Sequence, residues 1–467
     1  MSDVRAATFS ARLPRRSMGL KLLLVCGLAL LMSIPALFVF ALLNDRTHRA
    51  EQVVAEVGGL MGGSQTFLGP VLSIPYAIPS ADPKEAPATG VFVVYPVTGN
   101  AVVSTHSELR RRSLFKVPVY QADIVFKADF SLAGVGAAAP RGAVLDWPRA
   151  EFLVGASDPR GAQADLDFTA AGRSLAVAPA STLPQLTDLA SGDARNAVTA
   201  ENLRFFGAPA AAVATPEAAF PVTARLKFSG AERLAILAFA KTTTLSVKGD
   251  WPHPSFDGGF LPVRRSVGEH GFTAAWTVPF IARGVPAAGT GDTLSRLGAT
   301  ALGVSFVEPA NPYQSVARSL KYALMFVGLV FLAYFLFETT QGKRVHPAQY
   351  VLIGLAQVVF YLLLLSIAER VGFDAAFVVA ATATVALISA YAGWVFESRR
   401  QGAIALVAFS LLYGLIYVLM RLEDLALLVG AVASFAAIAA VMYFTRRIDW
   451  YGVTAAGDTV PSSKESV

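Results

Sequence analysis

The densest group of side chains able to do chemistry lies in the string DWPHPSFDGGFLPVRRSVGEHG at 250–271. Histidine, serine and carboxylate side chains at such density can ligate a metal or pair a nucleophile with its base. The spacing, however, matches no zinc-protease, paired-cysteine or serine-hydrolase pattern. The side chains concerned are Asp250, His253, Ser255, Asp257, Glu269 and His270.

The same segment also reads as a stiff structural loop, and we favour that interpretation. Prolines restrict the backbone, aromatic rings enter a core, and a short polar side chain caps a turn. In this interpretation Asp250 or Ser255 caps a turn, and Pro252 and Pro254 stiffen the loop. Trp251 and Phe256 fill the core, and His253 lies between them.

A second string, QTFLGPVLSIPY at 65–76, supplies no acid–base pair. Gly69 and Pro70 predict a turn before a short apolar strand. We interpret the string as packing where the external domain meets the membrane, with a partner-binding surface as the alternative. His48, His106 and His346 are isolated, which is a weak signal for chemistry.

Six apolar runs predict an integral membrane protein. A helix crosses the bilayer core with roughly 17 to 25 mostly apolar residues. The first run is longer than a signal-peptide core and no Ala-x-Ala site follows it, so we expect an uncleaved anchor. The runs are Leu22–Leu43, Leu320–Phe337, Tyr350–Ala368, Ala375–Phe396, Ala403–Met420 and Leu425–Phe444.

Basic residues cluster on alternate loops, and the positive-inside rule then places both termini in the cytoplasm. The regions are a basic N-terminus 1–21, an anchor 22–43, an external domain 44–318, a five-helix bundle 319–444 and a cytoplasmic tail 445–467. The expected location is a bacterial inner membrane, with the large domain in the periplasm.

The net charge of +6 does not indicate nucleic-acid binding, because the external domain has 24 Lys and Arg against 23 Asp and Glu. The excess belongs to the cytoplasmic face, next to the lipid bilayer. The single cysteine, Cys26, lies in the first run, so no disulfide framework or cysteine metal site is expected. We predict no cofactor and no resident metal.

In the external domain the spacing of apolar residues changes from the helical period to a period of two residues. A helix is expected at 44–57, and 231–241 is a candidate short helix. The alternating segments predict half-buried strands in an all-β, antiparallel, sandwich-like domain. PVYQADIVF (118–126) and PVTARLKF (221–228), each followed by a DWP triplet, raise the alternative of two related β modules. The predicted strands are 123–130, 224–228, 272–278, 91–97, 245–248 and 302–307.

Several of these strings resemble the CreD family of bacterial inner-membrane proteins. The resemblance runs from the first span to about Gly452. The loops of this chain at 80–89 and 207–219 depart from the family. The matching strings are LxGPxLxIPY, DWPHPSFDGGFLPVRRSV with GFTAAW, KYALMFVGLVFLAYFLFET, RVHPAQYVLIGLAQVVFYLLLLSIAE and RRIDWYG; the matching residues include Gly69, Pro70, Trp251, Pro252, His253, Pro254, Ser255, Phe256, Glu338, His346 and Tyr350.

This resemblance implies an envelope protein governed by the Cre two-component system and associated with colicin tolerance, envelope integrity and responses to β-lactams. It implies no catalytic residue. We therefore expect a non-enzymatic protein whose β domain binds an envelope protein or lipid. One alternative is a transporter or lipid-handling protein, which buried polar residues lining a cavity between spans would favour. The other alternative is an envelope hydrolase that uses the region of His253. The sequence leaves the oligomeric state open.

Overall fold

The computed structural model describes residues 18–446 apart from 81, 83, 113–114, 184, 190–200, 308–311, 342–344 and 422–425. Residues 1–17 of the predicted cytoplasmic N-terminus and most of the RRIDWYG string lie outside the described residues. The chain forms two compact units: a helical unit of Met1–His48 with Ala310–Val467, and a β unit of Arg49–Pro309. These bounds lie within nine residues of the external domain expected at 44–318.

Most helices of the helical unit are long and apolar, and those that lie wholly in the β unit are short. The helices are α1 (Met18–Leu31), α2 (Ser33–Leu60), α3 (Phe280–Arg283), α4 (Asp292–Ser295), α5 (Pro312–Lys321), α6 (Ala323–Gln341), α7 (Pro347–Val371), α8 (Phe373–Val395), α9 (Arg399–Arg421) and α10 (Ala426–Thr445). Because α2 continues to Leu60, the helix expected at 44–57 is confirmed.

The prediction of six spans is wrong in number. Four described helical stretches are long and apolar enough to cross a membrane: Gly19–Leu60, which comprises α1 and α2, Pro347–Val371, Phe373–Val395 and Arg399–Arg421. The second predicted span is broken, because Tyr313–Lys321 and Ala323–Thr339 meet at 53°, and counting this pair as one span gives five. Helix α5 ends in the charged Arg318 and Lys321, so a continuous apolar run starts only after the break. Helix α10 lies where the sixth span was expected, but many of its side chains are outside the described residues.

The strands of the β unit form two sheets. They are β1 (Gln65–Ile78), β2 (Ala88–Val94), β3 (Thr98–Arg112), β4 (Phe115–Ser131), β5 (Val144–Leu145), β6 (Glu151–Ala156), β7 (Asp167–Ala170), β8 (Arg173–Leu175), β9 (Ala178–Pro179), β10 (Gln185–Leu189), β11 (Glu201–Pro209), β12 (Ala219–Ala231), β13 (Arg233–Ile236), β14 (Thr242–Gly249), β15 (Pro254–Gly258), β16 (Arg264–Gly268), β17 (Gly271–Val278), β18 (Ala288–Thr290) and β19 (Leu302–Phe306). All six segments expected as strands overlap strands here.

One sheet, sheet A, runs β10-β11-β6-β1-β13-β19-β15, with β2, β5, β9 and β18 attached to its members. The other, sheet B, runs β16-β17-β14-β3-β4-β12-β7-β8. The expectation of purely antiparallel sheets is wrong, because β1 pairs with β13 and β3 with β14 in parallel. Such pairings join strands distant in sequence, which a local hydrophobic pattern does not encode.

The two sheets share one apolar core. Side chains alternate between buried and exposed along β3, β4 and β12, so one face of sheet B is dry and the other wet. Aromatic pairs join the sheets, with ring centroids 5.2 Å apart for Phe67 and Phe228 and 4.8 Å apart for Tyr120 and Phe306. The domain is thus sandwich-like, with mixed sheets.

The turn expected at Gly69 and Pro70 is absent, because both residues lie inside β1. One edge of β1 pairs with β13 up to Phe67 and with β2 from Leu72, while the other edge shifts register against β6 between Leu68 and Val71. A proline has no N–H to give to a ladder and is tolerated at such an interruption. A Cβ on Gly69 would lie 2.6 Å from the ring of Phe239.

The short helix expected at 231–241 is also wrong, since Arg233–Ile236 forms β13. Leu234, Ala235 and Ile236 are all fully buried between β1 and β19. Burial on both faces of a central strand removes the alternation that marks a strand in sequence, so this run resembled a helix.

The two segments whose likeness suggested a duplication are neighbours. In sheet B, β4 and β12 pair antiparallel from Val119 opposite Ala231 to Ser131 opposite Ala219. Both contribute to the same core. The duplication stays a prediction.

Candidate functional site

The aromatic residues of the 250–256 segment point into the core, as the structural interpretation predicted. Trp251 is 7% exposed; its ring packs edge-on against Phe306, and its Nε1–H donates to the carbonyl oxygen of Val307 at 3.1 Å. Phe256 packs edge-on against Phe272 with centroids 5.9 Å apart. These two rings attach the segment to the fold.

The polar residues between them face outward. His253 and Ser255 are exposed, while Pro252 and Pro254 are half-buried. Ser255 lies within β15 opposite Ser305, so it does not cap a turn. The described residues contain no group of three or more His, Cys, Asp or Glu able to hold a metal ion.

Asp250 does not cap a turn either. Its Oδ1 accepts the backbone N–H of Ser107 at 2.8 Å, and its Oδ2 lies 2.6 Å from Nδ1 of His106. The carboxylate thus joins the end of β14 to the neighbouring β3. His106, which looked isolated in sequence, is its exposed partner.

Asp257 contacts two side chains from neighbouring strands. Arg233 Nε donates to its Oδ1 at 2.8 Å and Ser305 Oγ donates to its Oδ2 at 2.5 Å. Gly303 leaves the room this requires, since a Cβ there would lie 2.1 Å from Asp257 Oδ1. The carboxylate fixes β15 to β19 and β13. Its partners are far away in sequence, so the sequence pattern offered no signal beyond the residue type.

The segment 254–268 forms an edge of both sheets, and we call it the 254–268 edge. Its first strand, β15, ends sheet A, and its second, β16, ends sheet B. In the described part of the chain, β15 pairs only with β19 and β16 only with β17. One continuous stretch therefore leaves an unpaired backbone edge on each sheet.

Large apolar side chains are exposed along this edge. Leu261 is 68% exposed, Val263 71% and Val267 50%. Arg264 and Arg265 are exposed between them. An apolar surface with two cations beside unpaired strand edges has the features of a site for an extended polypeptide.

A buried arginine in the β unit was missed by the sequence reasoning. Arg283 is 3% exposed, donates from Nε to the carbonyl of Ala238 at 2.9 Å and lies over the ring of Tyr95 at 4.1 Å. Burial lowers its pKa to about 10, with Tyr95 opposing the shift, so it stays charged at neutral pH. Its contacts are to backbone and ring, which gives it a structural role.

In the helical unit, Glu338 gathers several residues of the strings that resemble the CreD family. Its Oε2 accepts the hydroxyl of Tyr350 at 2.9 Å, and its Oε1 accepts the N–H of Val345 at 2.8 Å. Lys21 forms an ion pair with the same carboxylate and donates to the carbonyl of Val345 at 3.1 Å. Charges inside a membrane protein are paired because an isolated one is costly there.

His346, which also appeared isolated, begins helix α7. Its Nδ1 accepts the N–H of Ala348 at 3.2 Å, and Gln349 Oε1 accepts the N–H of His346 at 3.1 Å. Pro347 occupies the first helical turn, where its missing N–H costs nothing. These contacts cap the N-terminus of α7. Glu338 and its partners Lys21 and Tyr350 connect α1, α6 and α7.

Other acidic residues at the ends of apolar helices are paired too. Glu369 Oε1 accepts the hydroxyl of Tyr313 at 3.1 Å and lies 3.9 Å from Arg46 Nε. Asp374 accepts from the Tyr417 hydroxyl at 3.0 Å and from Arg421 at 2.5 Å. These charges stabilise contacts between helices.

A cavity of about 540 Å³ lies between α8 and α9. All its lining residues belong to those two helices and the turn between them, so it is a groove and not a path through the helical unit. The lining residues are Ala386, Ser389, Ala390, Gly393, Trp394, Glu397, Ser398, Arg399, Gly402, Ala403 and Leu406.

Comparison with known proteins confirms the resemblance to the CreD family. The family model described as Inner membrane protein CreD matches residues 17–451. The chain is 28% identical over 437 residues to Inner membrane protein CreD of Escherichia coli (strain K12), covering 91% of this chain and 92% of that protein. The match includes both the helical unit and the β unit.

Proposed function

The chain belongs to the CreD family of inner membrane proteins, and from that premise we propose that it supports cell-envelope integrity by binding another envelope protein through the 254–268 edge. The role is non-enzymatic. The observation that carries the proposal is that, among the described residues, one stretch of chain supplies each sheet with a terminal strand whose outer edge is unpaired, and exposes Leu261, Val263 and Val267 beside it.

The chemistry of the edge indicates the kind of partner. Unpaired strand edges offer backbone N–H and C=O groups to an added strand, whose main-chain hydrogen bonds supply affinity while contacts with the apolar side chains supply specificity. Arg264 and Arg265 favour a partner segment with acidic side chains. We therefore expect an extended envelope-protein segment in which apolar and acidic residues alternate.

The proposal includes an orientation. Basic residues before the first span and between later spans favour a cytoplasmic N-terminus and a periplasmic β unit, and Arg446 and Arg447 favour a cytoplasmic C-terminus. A reporter active only outside the cytoplasm should work when fused within 90–300 or near Gly372, and fail near Lys343. An active fusion near Lys343 would contradict the orientation.

The binding role is tested by placing a charge on the edge. We expect Val267→Glu to abolish protection in a strain that lacks the native protein, measured as survival under β-lactam or colicin challenge. Val102→Glu is the matched control, because Val102 is 46% exposed on β3, in the interior of the same sheet. Both variants should accumulate to the wild-type level in the membrane fraction.

Site-specific photocrosslinking then separates binding from a change in folding. A crosslinker at position 267 should yield one discrete adduct in cells, which a crosslinker at position 102 does not, and Leu261→Asp should remove that adduct. Full protection by a well-expressed Val267→Glu variant would refute the role of the edge.

A further inference from the structure

The groove between α8 and α9 combines polar chemistry at one end with an apolar wall at the other. Its polar end is formed by Ser398 and Arg399, where α9 begins, and its apolar wall includes Ala390 and Leu406. Arg399 and Leu406 are seven residues apart, which is about 10 Å along a helix. A molecule that fills this groove has a polar head and an apolar tail.

The groove exists because the two helices approach closely at glycines. A Cβ on Gly402 would lie 3.3 Å from Cα of Gly393 and 3.4 Å from the carbonyl oxygen of Ser389. Small residues in the floor leave space above it. Ala386 and Ala390, which also line it, are exposed.

Ser389 provides an observation, independent of the charges, that points to a ligand. It lines the cavity, it is 4% exposed, and its buried Oγ has no hydrogen-bond partner among the described residues. A serine within a helix usually bonds its hydroxyl to a preceding carbonyl or to solvent. A buried hydroxyl without a partner is costly unless a bound molecule supplies one.

The charges at the polar end favour an anion. Arg399 is exposed there, and the first N–H groups of a 23-residue helix add partial positive charge. Glu397 lines the same end, and a carboxylate there accepts hydrogen bonds from hydroxyl groups. An anionic headgroup that carries hydroxyls can bind both the cationic groups and the Glu397 carboxylate.

Trp394 indicates where this end lies relative to the bilayer. Its ring is 72% exposed and lines the groove, and tryptophan prefers the boundary between lipid headgroups and hydrocarbon. The polar end then lies at headgroup level and the apolar wall at acyl-chain level.

We propose that the groove between α8 and α9 is a binding site for an anionic glycerophospholipid of the phosphatidylglycerol type. Its phosphate binds Arg399, its glycerol hydroxyls bind Glu397, one of its ester oxygens accepts the hydroxyl of Ser389, and an acyl chain lies along Ala390 and Leu406. This site is separate from the 254–268 edge and does not depend on the proposed partner.

The test titrates purified, delipidated full-length protein in detergent with phosphatidylglycerol and counts bound lipid by native mass spectrometry. We expect one tightly held phosphatidylglycerol, and weaker retention of phosphatidylethanolamine and of glycerol phosphate, which lacks acyl chains. Arg399→Gln removes a charged hydrogen bond and should weaken binding roughly tenfold. Arg400→Gln makes the same charge change next to the groove without lining it, and should leave binding unchanged.

A second pair of variants tests the apolar wall. Ala390→Phe fills the groove from an exposed position and should displace the lipid, whereas Ala383→Phe, exposed on the same helix but outside the groove, should not. Thermal unfolding of each variant confirms that it is folded. Equal binding by Arg399→Gln and Arg400→Gln, equal retention of the two phospholipids, or unchanged binding in a folded Ala390→Phe protein would each overturn the proposal.

Discussion

Replacing Trp251 by alanine should destabilise the β unit far more than any change to the polar residues beside it. The ring is almost fully buried, packs on Phe306 and donates to Val307. Burying a tryptophan removes roughly 150–250 Å² from water, which at about 25 cal/mol per Å² sets an upper bound of roughly 4–6 kcal/mol. Truncations of this kind cost roughly 3–5 kcal/mol.

The lost hydrogen bond adds little to that figure. Val307 is 44% exposed, so water can replace the indole N–H at its carbonyl. We therefore expect a loss of roughly 3–5 kcal/mol for Trp251→Ala. With a slope of about 3 kcal/mol per molar urea, the unfolding midpoint falls by roughly 1 to 2 M.

The assay is pulse proteolysis of the full-length protein in detergent across a urea series. His253→Gln is the matched control from the same segment: its side chain is exposed, and a surface change of this kind costs about 0.5 kcal/mol or less. Equal midpoints for the two variants would refute the assignment of Trp251 to the core.

The same control variant tests the proposed non-enzymatic role. Glutamine keeps a hydrogen-bonding group at position 253 but cannot transfer a proton near neutral pH. His253→Gln should therefore retain protection against envelope stress. A folded, abundant His253→Gln protein without protective effect would restore the hydrolase interpretation of this segment.

The parts of the fold that the sequence predicted are those set by local periodicity. The alternation in β4, β12 and β17 follows directly from one buried face per strand, and all three strands were expected. The helix that continues the first span to Leu60 shows the helical period and ends near a glycine cluster. Interactions between residues close in sequence are sufficient to determine these strands and this helix.

The parts that were missed depend on contacts distant in sequence. Residues 233–236 form a strand because β1 and β19 cover both of their edges, and the run alone does not show that. Gly69 and Pro70 continue a strand only because the pairing partner changes at their position. The sequence singled out Glu338 only as one of the residues that match the CreD family, and it gave no indication of the partner, because Lys21 is 317 residues away.

Three further predictions concern packing, charge and pairing. Gly69→Ala places a methyl group against a buried ring and should cost roughly 1–3 kcal/mol of β-unit stability by pulse proteolysis, whereas Gly136→Ala meets open space and should not. Glu232 is exposed, but its surroundings partly desolvate the carboxylate and raise its pKa, so the folded state holds this proton more tightly than the unfolded state, and stability falls as pH rises through the ordinary glutamate range toward the raised value. Glu232→Gln should flatten that fall in unfolding midpoints measured from about pH 4 to about pH 7, and an unchanged slope would contradict it. In the helical unit, Glu338→Gln and Lys21→Met should be non-additive in thermal unfolding, with a coupling of roughly 0.5–3 kcal/mol. Each single change leaves a partly buried charge without its counter-ion, whereas the double variant leaves none, so additive losses would show that the ion pair does not join these helices.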